Sequence, residues 1–320
     1  MSQSYILEIK NLKKTYNYDL FKKPQTILNG LSCGFPESQC TAFMGHNGAG
    51  KTTTIRTIFG LIKPDSGEVL FKGKPLQRKD KAKIGYMPET NKLPINLNSE
   101  EILLHQLRVF NPPSIKPKQY KDVIAQKLKE IGLWDHRTKR VGKLSKGMGR
   151  RLSWAQATIH NPELIILDEP MSGLDPLGQR LMIDLIRQLK EKEVSVILCS
   201  HELFYIQDLC DQIHILNHGK VVFSTLAPQA TSPQHLGHRL VLSGCDQETV
   251  ESLRELGRLP SWSAIASHGL RIELSFSQYA DAVKWLQACL LKGLVVVDFK
   301  KSSQFDEEFL IQYFGGERSA

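Results

Sequence analysis

The apolar positions along this chain follow two rhythms. "CTAFMG" (Cys40–Gly45), "LIIL" (Leu164–Leu167) and "VSVILC" (Val194–Cys199) are short continuous apolar runs, the pattern of strands buried on both faces. Stretches of helical period separate them, and that alternation predicts an α/β core around a parallel sheet. The first run passes through the turn "GHNGAG" into "KTTTIRTIFGLI", where apolar residues recur at helical spacing. "NSEEILLHQLRVF" and "YKDVIAQKLKEIGLWD" carry the same period, with Ser99 and Asp122 as start signals. The octapeptide "LSKGMGRR", Leu144–Arg151, reads as the opening of another helix, with Ser145 ahead of its first turn.

Beyond residue 225 the pattern changes. "HRLVLSG", a helix from Gln247 to Leu256, a short strand near Ser261–Ala266, "LRIELSF", a helix from Gln278 to Leu291, and "LVVVDFK" predict a small βαββαβ-like α+β unit. The chain is therefore expected to hold a domain over 1–225 and an accessory α+β domain over 226–320. No catalytic cluster stands in the second domain: His235, His238 and His268 lack the spacing of metal ligands. A regulatory or dimer-supporting role is expected for it.

Composition narrows the class. The 320 residues suffice for two domains, and 41% hydrophobic with 23% charged residues fits a soluble globular chain. No run approaches the roughly 20 apolar residues of a membrane span, and "MSQSYILEIK" lacks the features of a signal peptide. A cytoplasmic location is expected. The six cysteines are scattered without a CxxC pair and are expected to be reduced thiols. The net charge of +9 raises nucleic acid as a partner, but residues 226–320 carry 9 basic and 11 acidic residues, so the excess lies earlier. Stretches such as "KGKPLQRKDKAK" and "KRVGKLSKGMGRR" hold it. They are read first as a solvated face, then as proximity to anionic headgroups, and last as a nucleic-acid surface.

Three segments carry chemistry. Gly45, Gly50, Lys51 and Thr52 fit GxxxxGK[ST], with His46, Asn47, Gly48 and Ala49 between the glycines and Thr53 following. Small residues let backbone N–H groups curl around phosphates at a helix N-terminus. Lys51 reaches the terminal phosphates and the Thr52 hydroxyl can ligate Mg²⁺. "PELIILDEPMSGLDP" ends a buried strand in Asp168 and Glu169, where open α/β sheets bind ligands. Asp168 suits Mg²⁺ held through water, and Glu169 can point at an attacking water as general base. "VSVILCSH" puts Ser200 and His201 at a further strand tip, where His201 can contact a γ-phosphate.

In this order the motifs resemble those of the nucleotide-binding subunit of an ABC transporter, over residues 5 to about 225. The resemblance implies a P-loop NTPase core of ABC type, an antiparallel β subdomain, and a helical subdomain over about 90–160. It implies ATP and Mg²⁺ as ligands and ATP hydrolysis as the reaction. Tyr16 in "LKKTY" matches the aromatic that stacks on adenine, a core strand aromatic being the alternative. The insertion "NYDLFKKPQT" after it is expected to be a surface loop. Asp175 in "SGLDP" matches a residue expected to cross a dimer interface, and His201 matches the switch histidine. "IGYMPE" ends in Glu89 where the family usually has Gln. A carboxylate there can accept from Mg²⁺-bound water while sensing a membrane subunit, or be a plain exposed glutamate.

The opening octapeptide falls at the family signature, usually LSGGQ. Ser145 and Gly147 keep the hydroxyl and the close-approaching N–H, while Lys146 and Met148 depart. Such variants are familiar in the exporter branch that includes drug, polysaccharide and sodium extrusion systems, and "FDEEFLIQYFGG" resembles the closing segment of exporter ATPases. Lys146 would add charge near the γ-phosphate if its side chain faces that way. The family pattern implies that the signature helix of one copy closes over ATP held by another, so the chain is expected to form an ATP-sandwich homodimer, or the same sandwich with a homologue. Separately encoded permease subunits would hold it on the inner face of the cell membrane, with no nucleic acid expected. The alternative is a soluble ABC-type ATPase acting on nucleic acid or ribosomes. Those relatives typically carry two cassettes or a long coiled-coil insertion, and this sequence has neither.

Overall fold

A computed structural model describes residues 4–16, 24–90, 92–200, 203–226, 238–245, 261–266, 270–276, 279–291 and 295–301. These divide into two compact units, one ending at Leu226 and one beginning at His238.

The first unit opens with two long strands, β1 (Tyr5–Tyr16) and β2 (Gln25–Pro36). They pair antiparallel, and β1 pairs in turn with β4 (Ser66–Phe71), which meets the two-residue β5 (Lys74–Pro75). Their buried residues Leu7, Ile9, Leu12, Leu28, Leu31 and Phe35 belong to one core cluster that needs a partner layer. A second sheet supplies it. Its strands are β3 (Cys40–Gly45), β6 (Ile84–Met87), β7 (Leu164–Asp168), β8 (Ser195–Cys199), β9 (Gln212–Asn217) and β10 (Lys220–Leu226), in the spatial order β10-β9-β3-β8-β7-β6. All neighbours are parallel except β10 against β9. The strands β3, β7 and β8 are buried at every position, as continuous apolar runs require. Helix α1 (Lys51–Ile58) lies with the two sheets in one core cluster, where Ile55 and Ile58 pack with Leu28, Leu31, Phe43 and Ile197.

Three helices carry the segment between β6 and β7: α2 (Ser99–Phe110), α3 (Tyr120–Glu130) and α4 (Lys146–Thr158). Ile102, Leu103 and Leu107 of α2, Tyr120, Ile124 and Leu128 of α3, and Leu152 and Ala155 of α4 are buried at helical spacing. The start signals differ from those expected. Asn98, not Ser99, caps α2: its side chain accepts from Glu101 N–H at 2.9 Å while the Glu101 carboxylate accepts from Asn98 N–H at 2.8 Å. Ser99 is buried at the first helical position. Asp122 lies inside the first turn of α3, which follows a 3-10 turn over Pro117–Gln119. The apolar period also overran the helix, since α3 stops before Ile131 and Gly132 takes φ +63°. Helices α5 (Pro176–Glu191) and α6 (Leu203–Leu209) complete the unit. The strand expected from Val194 begins at Ser195. Of the expected surface insertion, Gln25 and Thr26 instead open β2 and pair with Tyr16 and Thr15, while residues 17–23 lie outside the described residues.

The second unit contains β11 (His238–Cys245), β12 (Ser261–Ala266), β13 (Leu270–Phe276), α7 (Tyr279–Leu291) and β14 (Val295–Lys301). Its sheet is antiparallel in the order β12-β13-β11-β14, and Leu240, Leu242, Leu274, Phe276 and Cys289 form its core. The helix expected over 247–256 and the segment 305–316 lie outside the described residues.

Candidate nucleotide site

Sheet order sets the site. β3, β8 and β7 run side by side in parallel, so the loops leaving their C-terminal ends gather at one edge. The loop leaving β3 closes on itself: Ala49 N–H donates to His46 O at 3.1 Å, and Lys51 Nζ folds back onto the Gly45 carbonyl and, at 3.4 Å, the His46 carbonyl. Gly50 caps α1 at φ +114°, and a Cβ there would stand 2.9 Å from Leu28 Cδ2 and 3.2 Å from Ile27 O. Only glycine meets both conditions. Beyond this turn the first amides of α1 lack i−4 carbonyls of their own helix and face the loop.

A second clasp comes from far along the chain. The β9–β10 turn has His218 and Gly219 both at positive φ, as a two-residue hairpin of mirror-image type requires. Gly219 N–H donates to Ala49 O at 3.0 Å, and Gly219 O accepts from Asn29 N–H at 3.0 Å. His46 Nε2 lies 3.0 Å from Asn217 Oδ1. The phosphate loop is thereby tied to β2 on one side and to the hairpin on the other.

A cavity of about 520 Å³ opens over this loop. Of the residues singled out in the sequence, Tyr16, Gly45, His46, Asn47, Gly48, Gly50, Lys51, Thr52, Thr53, Glu89, Asp168 and Glu169 line it. Ala49 is fully buried beneath. Tyr16 is half-buried, with Lys14 Nζ 5.5 Å above its ring. His201 lies outside the described residues. Ile27, Arg56 and Ser172 also line the cavity. Only Ser172 stood inside a motif, two residues from the "LD" of "SGLDP".

Three carboxylates converge here. Asp168 is 5% exposed, and burial first, then the charges of Glu89 and Glu169, raise its carboxyl to about 6 despite Lys51 and Arg150. Glu169 is half-buried with φ +46°. Its N–H donates to Cys199 O at 2.8 Å, which binds the ends of β7 and β8 together. A buried carboxylate facing two others calls for a cation, and the Thr52 hydroxyl and Lys51 ammonium line the same cavity. The donor set fits a hard divalent ion held with a polyphosphate.

Ser145 and Gly147 lie elsewhere. Ser145 is the N-cap of α4, accepting from Met148 N–H at 3.2 Å. With Lys146, Gly147, Leu174 and Asp175 it lines a separate cavity of about 470 Å³. Asp175 caps α5, accepting from Gly178 N–H at 2.8 Å. The Lys146 side chain lies along Gly173 of its own chain, so that a Cβ at 173 would collide with it. Arg150 is a further residue that the sequence did not mark: it is 2% exposed and donates to the carbonyls of both carboxylate-bearing loops. In "GRR" it looks like surface charge.

The family model described as "ABC transporter" matches residues 28–172. An ABC transporter ATP-binding protein of Bacillus subtilis is 36% identical over 202 residues, covering 61% of this chain and 64% of that protein. The Nod factor export ATP-binding protein I of a Rhizobium species is 32% identical, covering 78% of this chain and 80% of its own length. A solved structure of the ATP-binding subunit of an ABC transporter superposes with a TM-score of 0.62 at 28% identity, covering 69% of this chain and 90% of that one.

Proposed function

We propose a transport-coupled cycle from one premise: the chain belongs to the ABC transporter family and is its ATP-binding, ATP-hydrolysing subunit. In this reading the triphosphate lies in the cavity over the phosphate loop, with Tyr16 against adenine. Gly45 through Gly50, with Lys51, Thr52 and Thr53, wrap the phosphates through backbone amides and the Lys51 ammonium. Thr52 and Asp168 would hold Mg²⁺, and the Glu89 carboxylate would accept from a water beside it. When bound, Mg²⁺ would supply charge neutralisation to the polyphosphate. Glu169 takes a proton from the attacking water, and His201 orders the γ-phosphate.

The observation that supports a dimeric site is the separation of the two cavities within one chain. The phosphate loop and the acidic strand line one, whereas Ser145 and Gly147 line the other. Each is a half-site, and a second copy turned to face the first joins the half-sites twice. Ser145 and Gly147 then meet the γ-phosphate held by the partner copy, and Asp175 reaches across the interface. ATP favours the closed pair because it binds both faces, and hydrolysis removes that preference. Glu89 and the α2–α4 region pass the movement to separately encoded permease subunits. No helix among the described residues is long and apolar enough to cross a membrane, and we assign attachment to the inner face of the cell membrane to those permeases. Export is the direction proposed, from the Lys146 and Met148 variant and from the Nod factor export role named for the Rhizobium relative.

The test is ATP-dependent association. The Glu169→Gln protein with MgATP should elute as a dimer and the same protein with ADP as a monomer. A monomer under both conditions would refute the trans arrangement. We assign a regulatory or dimer-supporting role to residues 226–320. Their deletion should alter assembly or export, and unchanged ATPase rate, assembly and export would retire that role.

A further inference from the structure

Arg150 stands in the second turn of α4, behind the Ser145 cap, and its guanidinium meets main-chain oxygens from two loops. Nε donates to Pro170 O at 3.2 Å, Nη1 to Pro88 O and, at 2.9 Å, to Glu89 O. Nη2 donates to Asp168 O at 2.7 Å and to Glu169 O. A guanidinium carries five N–H donors in a rigid planar fork, and these oxygens lie on different edges of it. A cation taken out of water is stable only where such partners replace its hydration. Here they come from the peptides that carry the site's three carboxylates.

The arrangement has its chemical consequence at Glu169. Its backbone lies in the left-handed region at φ +46°, a conformation that a non-glycine residue keeps only where its surroundings over-determine it. The N–H is held by Cys199 O at 2.8 Å, and the carbonyl accepts from Ser172 N–H at 3.1 Å and from Arg150. Turning either peptide would swing the Cα–Cβ bond and carry the carboxylate away from its target.

We propose that Arg150 is a positioning residue for ATP hydrolysis: a buried strut that fixes the Glu169 peptide against the Glu89 loop and ties both to the helix beginning at Ser145. The inference rests on the reading of Glu169 as the water-activating group. It goes further, because Ser145 and Gly147 are assigned to the partner's nucleotide. Movement of α4 over that nucleotide carries the guanidinium with it, so closing the partner's site and aligning this chain's own carboxylate become one displacement. Lysine cannot substitute, since its donors sit on one atom and do not span two loops.

The test uses the full chain with Arg150→Lys, Arg150→Met, Glu169→Gln and Leu128→Ala. It measures the thermal midpoint, the affinity for a fluorescent ATP analogue, and kcat for MgATP. Arg150→Lys should lower kcat about 30-fold while analogue affinity stays within about 3-fold, since alignment and not binding is lost. Arg150→Met, where it folds, should approach the residual rate of Glu169→Gln. Leu128→Ala, a core truncation in α3, should lower the midpoint and keep kcat within about 2-fold, separating lost stability from lost alignment. Arg150→Lys with kcat within about 3-fold of the unaltered protein overturns the strut, as does a parallel fall of kcat and affinity. An inactive Glu169→Gln beside a fully active Arg150→Lys refutes the strut alone. Full turnover in Glu169→Gln refutes the catalytic reading, and the strut falls with it.

Discussion

Lys51 Nζ donates to the carbonyl of Gly45, so the ammonium that is to meet phosphate also bridges the two ends of its own loop. The group proposed to read the phosphate also holds the loop in shape. Lys51→Met removes both functions. A charge-assisted hydrogen bond contributes about 1.5–3 kcal/mol, so ATP affinity should fall about 10- to 100-fold. Calorimetric titration with MgATP checks this, and an unchanged affinity would contradict the assigned role.

Glu169→Gln keeps volume and backbone conformation but cannot accept a proton. General-base assistance is worth about 10²–10⁴-fold, so steady-state hydrolysis should drop by at least about 100-fold while ATP still binds. Phosphate release and analogue binding, measured on the same sample, separate the two effects.

Gly147 offers a cleaner probe of the trans site than a bulky substitution does. A Cβ at this position would stand 3.6 Å from Leu174 Cδ2, an ordinary contact, and alanine favours a helix over glycine by about 0.8–1 kcal/mol. Gly147→Ala should therefore leave the single chain as stable as before or slightly more so. In the proposed pair the added methyl meets the partner's nucleotide, so ATP-dependent dimerisation and turnover should still fall. Retained dimerisation by analytical ultracentrifugation would remove Gly147 from the interface.

Two buried groups act on stability in opposite directions between about pH 4 and 6. Burial lowers His160, 3% exposed and stacked 4.1 Å from Phe110, to about 4 against an opposing contribution from the Ile84 backbone. Its unfolded value lies near 6.5, so the unfolded chain binds the extra proton and stability is lost as pH falls from 6.5 toward 4. Asp168 is raised from 3.8 to about 6, so the folded chain binds the extra proton and stability is lost as pH rises through that window. Each shift corresponds to roughly 3 kcal/mol. His214, buried and likewise lowered by desolvation, adds to the direction of His160, so in melting curves in EDTA without nucleotide the stability of the unaltered chain should rise with pH across this window. Relative to it, His160→Phe should make the slope less positive and Asp168→Asn should make it steeper. Identical slopes in all three proteins would sink the assignment.

What the chain's pattern disclosed depended on how local the cause was. The phosphate loop was legible because its turn, its strand and its helix are contiguous, and Asp168 and Glu169 because a continuous apolar run delivers them to a strand end. Ser145 was recognisable as a cap for the same reason. Ser99 was misread because Asn98, one residue earlier, also caps and is completed by Glu101 three residues on. Arg150 could not be seen at all. Its partners lie about 20 and about 60 residues away in sequence, and nothing in "GRR" says that one arginine turns inward onto carbonyls while Arg151 reaches Ile131 O at the end of α3.

The Gly219 clasp has a consequence for biogenesis. β3 gains its neighbours β8 and β9 only after nearly the whole first unit has been made, and the Ala49 carbonyl waits for Gly219 itself. A nascent polypeptide paused on the ribosome between Thr52 and this hairpin owns every letter of the glycine-rich motif yet lacks the walls that shape it. The loop's clasp is thus completed only once synthesis has passed the hairpin.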